Sequence, residues 1–134
     1  MSGDRAFIDT NVLLYLLSAD AAKAGRAEQL LRAGGIVSVQ VLNEFVSVAR
    51  RKTALSLAEI RDALAVVRHF CAVVPVDVET HDLALAVCER FGLSIYDGLI
   101  VAAAGRAGAE RLWSEDMQHG QTIGGVTIVN PFAA

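Results

Sequence analysis

The sequence predicts an α/β fold in which a mostly parallel central sheet is sandwiched between helices. Three observations predict it. Short apolar runs with strand character alternate with longer segments whose apolar residues recur at helical spacing, and such alternation implies parallel strands joined by helical crossovers. Helix-opening residues stand at the junctions, among them Asp20 and the capping-box pattern Ser56-Leu-Ala-Glu59. Finally, Asp9, Glu44, Asp97 and Asp116 each interrupt or abut an apolar segment that otherwise reads as core. A carboxylate costs several kcal/mol or more to bury alone, so acids recurring in such places need a partner, and a divalent cation is the strongest available.

The elements follow in order. Arg5 to Asp9 reads as a strand, and Thr10 to Ser18 follows at once with helical apolar spacing. Asp20 opens a second helix that ends at Gly34-Gly35. Ile36 to Val39 is a strand entering a helix over Gln40 to Lys52, and the capping box at Ser56 opens another that runs to about Phe70. Cys71 to Val76 is a strand, and Thr80 to Phe91 a helix closed by Gly92. Ser94 to Arg106 is a helix closed by Gly108, and Glu110 to Ser114 and Val126 to Val129 are the last strands. Neither a repeat nor a linker interrupts this series, so residues 1–134 are expected to form one domain.

Composition narrows the class. A chain of 134 residues should bury about two thirds of its unfolded surface, enough for a three-layer core. Its hydrophobic fraction of 54% and mean hydropathy of +0.44 are high for a monomer of this size, so a homodimer or a tightly held partner is expected. The apolar stretch Ala6 to Leu17 is broken by Asp9, Thr10 and Asn11 and is too short to span a bilayer, and it lacks a basic flank beyond Arg5. Neither a signal peptide nor a membrane span is expected. Cys71 and Cys88 lack C-x-x-C spacing and read as reduced core thiols of a cytoplasmic protein. The net charge of -3 taken alone argues against a nucleic-acid partner. Removing four carboxylates devoted to cations from that -3 leaves +1, however, and the remainder includes Arg50-Arg51-Lys52.

Each acid taken singly has an ordinary reading. Asp9 would cap the helix beginning at Thr10. At about 100° per residue, Val41, Leu42, Phe45, Val46, Val48 and Ala49 form one stripe, and Glu44 lies about 40° beyond its edge, at a boundary. Asp97 is the only charge before Arg106 on a helix that is apolar all round, although Ser94-Ile-Tyr-Asp97 also fits a capping box. Asp116 would ordinarily be a loop acid, with Glu115 beside it as a competing carboxylate. Their joint placement on converging segments is what shifts the reading. Asp9 ends the first strand and Asp116 follows a later one, at the rim where open α/β sheets bind ligands.

The phrases Phe7-Ile-Asp-Thr-Asn11, Leu42-Asn-Glu-Phe45, Ile95-Tyr-Asp-Gly98 and Ser114-Glu-Asp116 resemble, in order and spacing, the acidic motifs of PIN-domain ribonucleases. Within that superfamily they are most similar to the VapC toxins of toxin-antitoxin pairs, and the resemblance runs end to end, including Val129-Asn-Pro-Phe132. It implies that Asp9, Glu44, Asp97 and Asp116 are metal-binding acids and that Thr10, Asn11 and Ser114 orient ligands or water. It also implies RNA as substrate and a VapB-type antitoxin as partner.

The chemistry can be stated without the resemblance. Hard oxygen ligands select Mg²⁺ or Mn²⁺, and a metal-activated water can attack a phosphodiester without a nucleophilic side chain. Nucleophilic triads find no support, since His69, His81 and His119 sit in unrelated contexts. Arg50, Arg51 and Lys52 suit a helix C-terminus and equally suit phosphate tracking along RNA. An aromatic content of 6% argues for recognition by shape and backbone over a row of stacked bases. Two rival readings stand beside the ribonuclease. An aspartate phosphatase wants a second Asp two positions after Asp9, where Asn11 stands. A non-catalytic interaction domain would reduce the acids to caps and surface charge.

Overall fold

A computed structural model describes residues 6–133. Its strands are β1 (Ala6–Ile8), β2 (Gly35–Ser38), β3 (Cys71–Val74), β4 (Arg111–Trp113), β5 (Thr122–Ile123) and β6 (Val126–Val129). The helices are α1 (Thr10–Leu14), α2 (Ala21–Arg32), α3 (Val39–Lys52), α4 (Leu57–Phe70), α5 (Val78–Phe91) and α6 (Ile95–Arg106). A 3-10 turn over Tyr15–Leu17 continues α1. The strands form one sheet in the order β3-β2-β1-β4-β6-β5, parallel throughout except where β5 pairs antiparallel with β6.

That order places the site. The chain lays β2 and β3 to one side of β1, then crosses back to add β4 on the other. The crossovers on either side of β1 therefore diverge, which opens a crevice beyond the carboxyl ends of β1 and β4. Asp9 and Ser114 are the residues that leave those strands. The ladder reaches past both of them: Asp9 N donates to Trp113 O and Ser114 N to Val129 O, each at 3.0 Å.

Local chemistry explains the elements and their limits. Asp20 caps α2 by accepting from Ala22 N and Lys23 N, and Ser56 and Glu59 form both bonds of the expected capping box at α4. The expected strand over Cys71 to Val76 stops at Val74, because Pro75 has no N–H to give to a ladder. The helix expected from Thr80 starts at Val78, because Asp77 accepts from Thr80 N and caps it two residues earlier. Residue Arg5 of the first expected strand lies outside the described residues. The two-residue strand β5 was not expected at all. Gly124 and Gly125, both at positive φ, make the two-residue turn that joins it to β6.

Phe7, Ile8, Val37, Leu112 and Ile128 of the sheet are fully buried, packed against Val41, Phe45 and Ala49 of α3, Ile60 and Val67 of α4, and Ile100 of α6. Helix α6 buries Ile100 through Ala104 in one run, as an apolar all-round helix should. It lies close against α5 at Gly98, where an added Cβ would stand 2.5 Å from Cys88 Sγ and 3.0 Å from Ala84 O. Both cysteines are free thiols, and burial pushes the Cys71 thiol up to about 11, so it stays protonated. No helix among the described residues is long and apolar enough to cross a membrane.

Candidate active site

Four segments distant in sequence bring their acids to one cavity of about 340 Å³ at the switch point of the sheet. Asp9 comes from the end of β1, Glu44 from the middle of α3, Asp97 from the first turn of α6 and Asp116 from the loop after β4. Thr10, Asn11 and Arg51 line the same cavity. Of the three basic residues closing α3, Arg51 faces the acids, Lys52 lines a neighbouring cavity with Glu115 and Asp116, and Arg50 is exposed on the helix surface.

Asp9 is the anchor, 6% exposed. Its Oδ1 accepts from Thr10 N at 2.7 Å, and its Oδ2 accepts from Ser114 Oγ at 2.9 Å and Asn11 Nδ2 at 3.0 Å. The capping role and the cavity role thus coincide in one carboxylate. Burial raises its pKa from 3.8 to about 6 against the opposing pull of the Ser114 and Thr10 hydrogen bonds, and the charges of Glu44 and Asp97 add to the rise.

The polar neighbours tie the acids together. Thr10 Oγ1 donates to Glu44 Oε1 at 3.0 Å, linking α1 to α3. Asn11 Nδ2 also reaches Asp116 Oδ2 at 3.3 Å, while Asn11 Oδ1 accepts from Glu115 N at 3.0 Å. Glu44 is half-buried, matching its boundary place on the helical stripe. At α6, Ser94 Oγ accepts from Asp97 N at 3.2 Å, and the Asp97 carboxylate lines the cavity. Its pKa is raised, first by burial and then by the charge of Asp116.

Glu115 and Asp116 diverge. Glu115 Oε1 accepts from Tyr15 Oη at 2.5 Å and Oε2 pairs with Lys23 Nζ at 3.1 Å. These two hydrogen bonds and the Lys23 charge hold its carboxyl below its ordinary range, the Tyr15 bond most strongly. Lys23 Nζ also lies over the rings of Tyr15 and Phe132. Sequence reasoning missed Lys23 and Tyr15, which carry no local signal because their partner is contributed from the far end of the chain. Nor do the histidines enter the site: His119 Nδ1 accepts from Asn130 N at 2.9 Å and fixes a loop, and His69 and His81 are exposed.

The donor set is entirely oxygen, which suits Mg²⁺ or Mn²⁺. Among the described residues, no three carboxylate, imidazole or thiolate side chains are gathered into a ready-made metal cage. Mg²⁺ keeps several waters and uses one or two protein carboxylates, so a loose ring of acids fits a hydrated ion better than a dry one. One buried carboxylate, Asp9, grouped with half-buried Glu44 and Asp97 and exposed Asp116 in a cavity whose one cation among the described residues is Arg51, fits a cationic guest.

A mostly parallel sheet with a carboxylate-lined crevice at its switch point defines the class: an α/β domain with an acidic site beyond the carboxyl ends of β1 and β4. The chain belongs to the PIN domain family, whose family model matches residues 6–122. No curated protein matches it. Among solved structures it is similar to a toxin-antitoxin complex from Klebsiella pneumoniae, at 23% identity and TM-score 0.71, covering 96% of this chain and 99% of that one. It is also similar to VapC20 of Mycobacterium tuberculosis, a Sarcin-Ricin loop cleaving toxin, at 21% identity and TM-score 0.64, covering 83% and 89%. DNA-bound VapBC from Salmonella typhimurium matches at 22% identity and TM-score 0.63, covering 93% and 96%. At these identities the likeness establishes the fold.

Proposed function

We propose that the chain, over 1–134, is a single-domain, metal-dependent endoribonuclease and the toxin of a VapBC-type pair, acting in the cytoplasm. One observation carries the reading: four carboxylates from four separate segments line one cavity at the switch point of a PIN-domain sheet. The similarity to VapC and VapBC structures supports the toxin assignment.

In this reading Asp9, Glu44, Asp97 and Asp116 hold Mg²⁺ or Mn²⁺. When bound, the ion supplies positive charge and Lewis acidity for transfer of a phosphoryl group to water. The chain's own residues do the rest. Ser114 and Asn11 fix the Asp9 carboxylate by two hydrogen bonds to one oxygen, and Thr10 fixes Glu44. Arg51 stands where an RNA phosphate would approach the acids, with Arg50 and Lys52 extending that basic edge. Asp116 is the fourth acid, and Glu115 serves the fold through Lys23 and Tyr15. The exposed apolar residues Val78 and Leu85, on one face of α5, supply surface for a homodimer, and a VapB-type antitoxin would cover the acids.

The test is cleavage of RNA in Mg²⁺ or Mn²⁺ with and without chelator. Parent protein should cleave only with free ion, and Asp97→Asn should lose at least about 10²-fold, the scale of removing one electrostatic contributor. Full activity in chelator, or near-normal cleavage by Asp97→Asn, would sink the metal mechanism, and no cleavage with either ion would leave a non-catalytic interaction domain.

A further inference from the structure

A second cavity, of about 630 Å³, opens beside the acidic one and shares Glu44 and Ser47 with it. Its character is different. Val39, Val76 and Leu99 give it apolar walls, and Tyr96 lines it while standing 63% exposed. Tyr96 and Asp97, consecutive on α6, straddle the ridge between the cavities, while on α3 Glu44 faces both and its neighbour Asn43 lines only the larger. The helical step of about 100° turns neighbouring side chains to adjacent faces, so Asp97 has an aromatic partner across the ridge. Gln40 Nε2 donates to Tyr96 O at 3.2 Å, tying α3 to the start of α6. Gln40 Oε1 is enclosed with no hydrogen-bond partner among the described residues, an unsatisfied acceptor on a side chain that lines this cavity.

We propose that this cavity receives one nucleobase of single-stranded RNA, placing an adjoining phosphate at the acids. The inference rests on the ribonuclease reading and names a subsite for it. A base is flat, apolar on its faces and edged with donors and acceptors, and the cavity offers a free aromatic ring, apolar walls and the two amides of Gln40 and Asn43. No cation lines it among the described residues, so the phosphate itself belongs on the other side of the ridge, toward Arg51. A base held in a duplex cannot enter such a pocket, which selects single strands and loops. Tyr96 would supply stacking, and the amides base preference.

Steady-state cleavage of a short single-stranded RNA of mixed sequence by the full chain, with product ends sequenced, tests the proposal. Tyr96→Ala should raise KM about tenfold, the scale of one lost base stack, with kcat within about twofold. Tyr96→Phe should retain the parent KM, and Asn43→Ala should flatten base preference beside the cut. Should a variant fail to fold, the parent can be given RNAs carrying one abasic site scanned along the strand, and it should lose about tenfold at one position only. Cleavage indifferent to all of these changes overturns the subsite alone. Loss of dimer by light scattering in Tyr96→Ala, with base preference intact, would assign the cavity to a second copy of the chain and also overturn it. A parent that cleaves no RNA overturns the ribonuclease reading and the subsite together.

Discussion

The two ends of α6 handle carboxylates in opposite ways. At its C-terminus Arg106 Nη1 donates to Asp77 Oδ1 at 2.5 Å and Thr80 Oγ1 at 2.8 Å, and Nη2 donates to Glu79 Oε2 at 3.2 Å. Asp77 lies below its ordinary range, held there first by the backbone N–H of Thr80, then by its hydroxyl, with Arg106 adding charge. At the N-terminus Asp97 meets burial and the like charge of Asp116, and its pKa moves up. The helix dipole favours an acid at one end and a cation at the other, so it does not separate them. What separates them is the partner: one end is neutralised within the protein, and at the other Asp97 has no ion pair among the described residues.

The contrast is most sharply broken by Asp97→Asn. Besides losing cleavage, this variant should melt higher than the parent in chelator and gain less from Mg²⁺ or Mn²⁺, because it removes one of several repelling charges. Free ion at ten times Kd adds about 1.4 kcal/mol to a protein that binds it only when folded. Thermal melts across a metal titration check this, and equal metal shifts in parent and variant would show that Asp97 does not face the ion.

A smaller stability effect comes from Asp9. Its folded pKa of about 6 exceeds the ordinary 3.8, so the folded state takes up a proton that the unfolded state releases. Its destabilising contribution is absent below about pH 4, grows as pH rises through the interval, and is complete above about pH 6, reaching at most about 3 kcal/mol. In chelator the parent should therefore gain stability between about pH 7 and pH 5 relative to Asp9→Asn. The lowered carboxyls, Asp77, Glu59 and Glu115, act only on further acidification and leave this window clear. Denaturant melts at several pH values supply the measurement, and parallel profiles for the two proteins would refute the expectation.

The smallest effect belongs to the neutralised end. Asp77→Ala removes the cap of α5 and releases Arg106, so Tm should fall while cleavage stays at the parent level. Because the ion pair itself is exposed and contributes little, the lost cap accounts for most of the fall. A drop in activity without a drop in Tm would join the two ends of the helix in one function.

What could be read from the sequence was whatever rests on short-range chemistry. Asp20, Ser56 and Ser94 announce their helices because a cap is satisfied within three residues, and Asp9 announces a strand end for the same reason. The acids of the cavity were legible because a charge inside an apolar run is anomalous wherever it occurs. Strand β5 escaped because two residues carry no periodicity, and its Gly124-Gly125 turn was the one cue. The choice between Glu115 and Asp116 was not legible, since it depends on Lys23 and Tyr15 meeting Glu115 across the fold. Nor could the sequence show that Tyr96 lines a second cavity, which exists only once the first turns of α6 meet α3.

The seam at Gly98 has a consequence for how this molecule can vary. Asp9 is fixed to the sheet, whereas Asp97 rides on a helix whose distance from α5 is set by the absence of one carbon at Gly98, which faces the backbone carbonyl of Ala84 and the side chain of Cys88. Helix α5 lines no part of the acidic cavity, yet it works as a gauge block for it. Bulk added at position 88 moves the start of α6 and changes the gap between carboxylates that are themselves unaltered. Across related chains the sizes of residues 88 and 98 should therefore drift together, with their sum held steadier than either identity.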